Sequence, residues 1–408
     1  MSFRNESELG RPATGGIYLE GPRSVDQCLL FGNDPIAVMK IIQILPELNA
    51  GGVERGTLEV ATRLVAEGHK SIVISNGGRL VEDLERAGSR HLGMPVHRKS
   101  LASLTQVAAL RRVFIREKPD IIHLRSRLPA WLAWLAWKTM DPRTRPRLVT
   151  TVHGFYSVNA YSAIMTKGEA VIAVSESVKE YILKNYPKTD RSQVSVIHRG
   201  VDEQSVYPVD FVPHAEWLAK WQAAHPELEG RITLLMPARL TRWKGQVDFL
   251  HLVAKLTADG LPIHGLIVGE THPKKFAFLG ELESLASTLG VSGHVSFLGH
   301  RADLREIMAV SEVVYSLSTA PEAFGRVSLE ALSLGKPVVG YDHGGVGEQL
   351  GVLFPQGLVK PGDLQSTIDL TRKILDGGTR PEANKVFTLT RMLDSTLDIY
   401  RSLLACSR

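Results

Sequence analysis

The most constraining feature of this sequence is a rhythm that runs twice. Short, unbroken, β-rich apolar runs lie at 36–45, 71–75 (SIVIS), 121–124, 148–152 and 171–174, with helical patterns between them at 54–67, 103–117, 129–140 and 176–186. An irregular stretch at 198–208 (HRGVDEQSVYP) interrupts the alternation, which then restarts. Further runs fall at 232–236, 263–268, 295–297, 313–317 and 337–341, with helical stretches from about Lys244 and Phe276 and at 303–310, 325–334 and 364–375. A strand without polar alternation has both faces covered, which means a parallel sheet with helices on either side. The expected fold is therefore α/β, with two Rossmann-like, doubly wound parallel-sheet domains and an inter-domain cleft. Residues 1–34 read as a loose tail, 35–205 as the first domain and 206–386 as the second, with an amphipathic segment at 387–408 completing the first. Ligands in such sheets bind beyond the strand C-termini, so the cleft is the expected site.

The usual occupants of such a cleft can be tested by motif. Gly51, Gly52 and Gly56 follow the first strand without forming G-x-G-x-x-G, and the second strand ends Ser75–Asn76, where a dinucleotide site wants an acidic residue. No P-loop, no G-x-S-x-G elbow and no D-x-D occurs, and the 14 histidines show no zinc-ligand spacing. Cys28 and Cys406 cannot form a disulfide framework, which fits a reducing compartment. The longest apolar stretch, at 128–137, is shorter than the roughly 20 residues of a membrane-spanning helix. With no signal-peptide pattern visible, the expectation is a soluble, cytoplasmic protein.

Charge separates the two halves. Residues 1–200 carry 28 basic and 19 acidic side chains, whereas the net +5 of the whole chain leaves residues 201–408 at −4. Segment 98–147 alone holds 12 basic and 3 acidic residues. The whole-chain +5 is too low for a dedicated nucleic-acid binder, and no nucleic acid is expected. The basic segment suits either a solvated face or a surface for an anionic partner.

Phosphate-binding chemistry is concentrated in the second half. Arg239 and Lys244 (ARLTRWKG) follow the run at 232–236, and two cations at a strand end can grip a diphosphate by charge-assisted hydrogen bonds. Phe324, Gly325 and Arg326 open a helical pattern, and a glycine there lets backbone N–H groups approach a phosphate. Glu322 precedes the helix and Glu330 lies within it. Eight residues of helix rise about 12 Å, comparable with the distance from hexose to ribose in a nucleotide sugar.

These motifs together resemble the E-x7-E signature of glycosyltransferase family 4, the retaining glycosyltransferases of GT-B fold. The matching pieces are Glu322 and Glu330 in PEAFGRVSLEALSLGKPVVGYDHGG, GGVER at 51–55, HGF at 153–155, AVSES at 173–177, HRGVD at 198–202, RLTRWKG at 239–245 and FLGHRADL at 297–304. The resemblance implies a catalytic set of His153, Arg239, Lys244 and Glu322. Arg239 and Lys244 would neutralise the donor diphosphate, Glu322 would hold the donor sugar, and Glu330 the ribose. The amides of Phe324, Gly325 and Arg326 would complete the phosphate site, with Gly299, His300 and Arg301 at the base. His153 would face the donor sugar across the cleft, while Gly51 and Gly52 let the first loop come close. The turn at 269–273 (GETHP) departs from the small glycine-rich turn that family members often carry there.

The implied activity transfers a hexosyl unit from a nucleotide-diphosphate sugar, expected to be a UDP-sugar, to a glycan or glycolipid acceptor. Cofactors are expected to be none, metal included. For the acceptor the residues singled out are Glu54, Arg55, His123, Arg125 and Arg127. The basic first domain, with Trp131, Trp134 and Trp137 at helical spacing, leaves two readings open: core packing, or peripheral contact with an anionic membrane, as in envelope or lipopolysaccharide synthesis. An epimerase or phosphorylase of the same architecture would instead form product without an acceptor or depend on free phosphate. A non-catalytic relative would bind nucleotide sugar without turnover.

Overall fold

The computed structural model describes residues 37–405 apart from 50, 99–100, 271–275 and 378. The tail read at 1–34, both cysteines and residues 271–273 of the GETHP turn lie outside that set. Two parallel sheets organise the chain. The first has seven strands in the order β3-β2-β1-β4-β5-β6-β7: β1 (Lys40–Ile44), β2 (Lys70–Ser75), β3 (Arg90–Gly93), β4 (Ile121–Leu124), β5 (Arg147–Val152), β6 (Ala170–Ala173) and β7 (Val194–Val196). The second has six in the order β10-β9-β8-β11-β12-β13: β8 (Ile232–Pro237), β9 (Ile263–Val268), β10 (Val295–Gly299), β11 (Val313–Ser316), β12 (Val338–Tyr341) and β13 (Leu358–Val359). Both orders reverse once, between β1 and β4 and between β8 and β11, and a crevice opens at such a switch point.

The central strands form where the sequence is continuously apolar because both faces are covered. Ile41, Ile42, Ile44, Ile121, Ile122, Leu124, Leu234 and Leu235 are fully buried. Helices α1 (Gly52–Ala66), α3 (Thr105–Glu117), α4 (Arg127–Lys138) and α5 (Glu176–Asn185) flank the first sheet; α7 (Gln246–Ala258), α8 (Phe276–Thr288), α10 (Arg326–Ser333) and α12 (Leu364–Leu375) flank the second.

The structure also holds elements that apolar patterning does not reveal. β3 (RHLG) is an edge strand with little burial, and β13 has two residues. Helices α2 (Val81–Arg86), α6 (Ala215–Ala224), α9 (Leu304–Ala309) and α11 (Gly344–Leu353) complete the middle of the chain. Of these, α9 coincides with a helical pattern in the sequence. The glycines at the start of α11 mimic a turn in the sequence, but they serve close approach: a Cβ at Gly345 would collide with the Phe324 backbone.

The last helix, α13 (Leu389–Ala405), packs on the first sheet and not on the second, to which its neighbours in sequence belong. Its Met392, Leu393, Leu397 and Tyr400 lie buried against Ile41, Val60, Leu64, Val149 and Ile172. The strand-like bridge between Val201 and Thr388 brings the two crossing segments side by side. From Met39 onward the two sheets pack into one compact unit.

Candidate functional site

The loops that follow β1, β5, β8 and β11 converge on one cavity of about 820 Å³. Gly52, Val53, His153, Gly154, Phe155, Val174 and Arg199 line it from the first domain. Arg239, Trp243, Lys244 and the segment from Ala320 to Arg326 line it from the second.

On the second-domain wall, β8 delivers Arg239 and Lys244 as the sequence places them. Gly245 holds the turn at φ 85°, where a Cβ would strike the Leu317 carbonyl oxygen, so the chain can fold back toward β11 only with glycine there. Lys244 Nζ sits 2.7 Å from Glu322 Oε1, and Ser318 Oγ donates to the same oxygen at 2.5 Å. Arg239 is exposed at the mouth, and among the described residues its guanidinium has no ion-pair partner. Gly325 caps α10 in the left-handed region at φ 84°, leaving the first amides of an eight-residue helix beside Glu322.

The helix begins only at Arg326, because Gly325 breaks the helical path before it. The span from Glu322 to Glu330 is therefore part loop and part helix, and the 12 Å helical rise expected between the two carboxylates does not apply. Glu330 is only 6% exposed and lies behind Arg326, whose Nε donates to Glu330 Oε1 at 3.0 Å. Arg326 Nη2 also reaches Glu59 Oε1 on α1 at 3.0 Å, tying the two domains together beside the cavity.

Gly299, His300 and Arg301 stand at the end of β10, outside the residues that line the cavity. Arg301 is held by both carboxylate oxygens of Asp303 at 2.6 and 2.8 Å, and that pairing raises its pKa.

The first-domain wall differs more from expectation. His123 does not face the cleft: it is 1% exposed, with Nδ1 2.7 Å from the Tyr400 hydroxyl and Nε2 2.6 Å from Thr151 Oγ1. Nδ1 ties β4 to α13 and Nε2 ties it to β5, so no ring nitrogen remains for an acceptor. Arg125 is likewise buried, donating Nε to Gln43 Oε1 at 2.8 Å. Arg127 stacks its guanidinium 4.6 Å from the Tyr156 ring and donates to Ser162 Oγ. The strand-end position of HLRSR points all three toward the cleft on sequence alone; in the fold they support the wall from behind. Glu54 and Arg55 lie in the first turn of α1, where Arg55 is exposed.

Arg199, from HRGVD, is a charged lining residue to which the motifs assign no role. Its Nη2 donates to the Gly52 carbonyl at 2.7 Å and lies 3.3 Å from His153 Nδ1. Burial, then the nearby Arg125, pulls its pKa down to about 9. For His153, burial, with Arg199 and Arg125 beside it, holds the ring neutral well below the usual histidine range. The cue in the sequence is a cation just after a strand end, beside the glycine of HRGVD.

The tryptophan stripe on α4 resolves in favour of packing. Trp137 is 6% exposed with Nε1 donating to the Pro146 carbonyl, and Trp131 Nε1 donates to the Tyr161 carbonyl. No helix among the described residues is long and apolar enough to cross a membrane.

Comparison with known proteins agrees with this architecture. Residues 50–205 match the model of Glycosyltransferase Family 4, and residues 219–386 match that of Glycosyl transferases group 1. The chain is similar to one component of the human phosphatidylinositol N-acetylglucosaminyltransferase, at 26% identity over 74% of this chain and 61% of that protein's length. It therefore spans less than two thirds of that relative. Among solved structures, a glycosyltransferase from Rickettsia africae superposes with a TM-score of 0.75 at 29% identity, covering 90% of this chain and 99% of the other. Anabaena Alr3699/HepE, in complex with UDP and glucose, superposes with a TM-score of 0.73 at 22% identity, covering 89% of this chain and all of the other.

Proposed function

Because the chain belongs to glycosyltransferase family 4 and folds as the two α/β domains of a GT-B enzyme, we propose that it moves a hexosyl unit from a UDP-sugar to a glycan or lipid-linked acceptor with retention of configuration. The observation that carries this reading is one cavity with diphosphate-binding chemistry on one wall and His153 on the other. Arg239, Lys244 and the amides at Gly325 surround the place where a leaving diphosphate would develop charge, and fixed donors act most strongly there. UDP and glucose bound to the Anabaena protein support a uridine nucleotide and a hexose.

The reaction proposed is a front-face displacement. The bond from the anomeric carbon to the diphosphate oxygen breaks, the acceptor oxygen bonds to the same face, and the acceptor proton passes to the departing phosphate oxygen. Lys244 and Arg239 supply positive charge to that phosphate, so the step as written needs no metal. A diphosphate would compete with Glu322 for Lys244 Nζ, leaving the carboxylate to accept sugar hydroxyls. Holding ribose with Glu330 requires Arg326 to turn aside, because its guanidinium covers that carboxylate.

On the acceptor side, Glu54 and Arg55 remain at the edge of the first domain. Cytoplasmic peripheral membrane contact, in the service of envelope polysaccharide synthesis, would use α3, which exposes Arg111, Arg112 and Ile115. Product from a UDP-hexose and a lipid-linked acceptor, followed by proton NMR in EDTA, should carry the donor's anomeric configuration. An inverted product, or a trapped covalent sugar on Glu322, would contradict the mechanism.

A further inference from the structure

We propose that Arg199 is a positioning residue that fixes the His153 imidazole with its proton on Nε2, beside the cavity that the ring lines. The inference rests on the reading of the cavity as a sugar-donor site, but its geometry stands apart from it. A guanidinium carries N–H groups and no lone pair. Arg199 Nη2, 3.3 Å from His153 Nδ1, can therefore only donate, and Nδ1 must present its lone pair. In a neutral ring the single proton then sits on Nε2. That atom is buried and has no hydrogen-bond partner among the described residues, in a ring that lines the cavity.

The guanidinium is itself held in place. It donates to the Gly52 carbonyl at 2.7 Å, and Gly56 on α1 gives it room, since a Cβ there would collide with Nη1. No carboxylate lies within ion-pair distance of Arg199 among the described residues, so the cation is not turned away from the ring by a stronger partner. The charged and titratable groups around His153 are Arg199, Arg125 and His123 from the strand ends, Tyr156 from its own loop, and Glu54 and Glu59 on α1. Across the cavity stand Arg239, Lys244, Glu322 and Arg326. The nearest of these are cations, which oppose a second proton on the ring.

The consequence is a selection rule. An Nε2–H pairs with an oxygen lone pair, so a substrate group that reaches this buried atom must offer an acceptor: a hydroxyl or ring oxygen, or an anionic oxygen. The opposite tautomer would instead demand a donated proton.

The test is long-range proton–nitrogen NMR of histidine-labelled protein without substrate, with the His153 signal assigned by its loss in His153→Gln. The wild-type ring should show protonated Nε2 and bare Nδ1, and should not titrate between pH 5.5 and 8. In Arg199→Met, with Arg199→Gln as the milder second variant, the ring should populate both tautomers and titrate about one pH unit or more higher. Arg199→Lys, which keeps a cationic donor, should restore the single tautomer. A proton on Nδ1 in the wild type overturns the proposal, and so does an unchanged single tautomer in the folded methionine or glutamine variant. Because no substrate is present, this result is independent of whether the protein transfers sugar.

Discussion

Lys244 lies at the point where the chain's few second-domain cations meet its first signature glutamate. Its ammonium is close to Glu322 and largely shielded, so a diphosphate arriving there meets a fixed charge and not a mobile side chain. Lys244→Ala should lower turnover by about 10²- to 10³-fold with little change in melting temperature, read by steady-state kinetics and thermal unfolding. A folded variant with full activity would remove Lys244 from the diphosphate site. Away from the cleft, His264 on β9 is 2% exposed and bonds to Ser296 Oγ at 2.9 Å. Burial, then Arg231 beside it, brings its pKa down to about 4, with Glu227 opposing and His294 and His225 nearby. Its folded value lies below the unfolded value near 6.5, so the unfolded chain takes up the proton first as pH falls. The stability tied to the neutral ring is complete above about pH 6.5 and is lost progressively toward pH 4. Melting temperature should fall across that window, and less steeply in His264→Gln; equal slopes for the two proteins would contradict the account.

Among the elements, α5 and α11 carry the tightest contact between the domains. Glu348 on α11 accepts hydrogen bonds from the backbone N–H groups of Glu176 and Ser177, at 2.9 and 2.8 Å, and from Ser177 Oγ at 2.6 Å. It also lies 3.0 Å from His198 Nε2. A carboxylate of one domain thus caps a helix of the other, satisfying orphan amides and meeting the positive end of the helix dipole. Removing it leaves the first amides of α5 without their cap, so Glu348→Ala should cost about 0.5–2 kcal/mol in chemical unfolding and enlarge the radius of gyration in solution scattering. An unchanged radius would mean that closure does not depend on this cap. On the outer face, Arg111→Glu with Arg112→Glu on α3 should abolish sedimentation with anionic vesicles and spare turnover on a soluble acceptor. Undiminished vesicle binding would move any membrane contact elsewhere.

At the scale of the whole molecule, both sheets are legible in the sequence because their central strands are apolar on both faces, and that pattern survives without any tertiary information. β3 and α11 are not, since an edge strand has little to bury and the glycines of α11 serve contacts with Phe324 that only the fold reveals. The same division holds in the site. Arg239, Lys244, Glu322 and Gly325 follow strand ends in sequence, and so can be placed. His123 lies within β4 and Arg125 directly after it, but α13 returns from the far end of the chain to bury them, which their local sequence does not encode. The charge imbalance keeps a narrower meaning: Arg125 and Arg199 of the basic first half lie inward, beneath the cleft wall, while Arg111 and Arg112 face outward on α3. The proposed function requires a diphosphate held between Arg239, Lys244 and the α10 N-terminus. Calorimetric titration of UDP in EDTA tests it directly: the wild type should bind, and Arg239→Ala and Lys244→Ala should each weaken binding at least about tenfold, as loss of a charge-assisted contact requires. Equal affinity in all three proteins, or binding that appears only when a divalent cation is added, would contradict it.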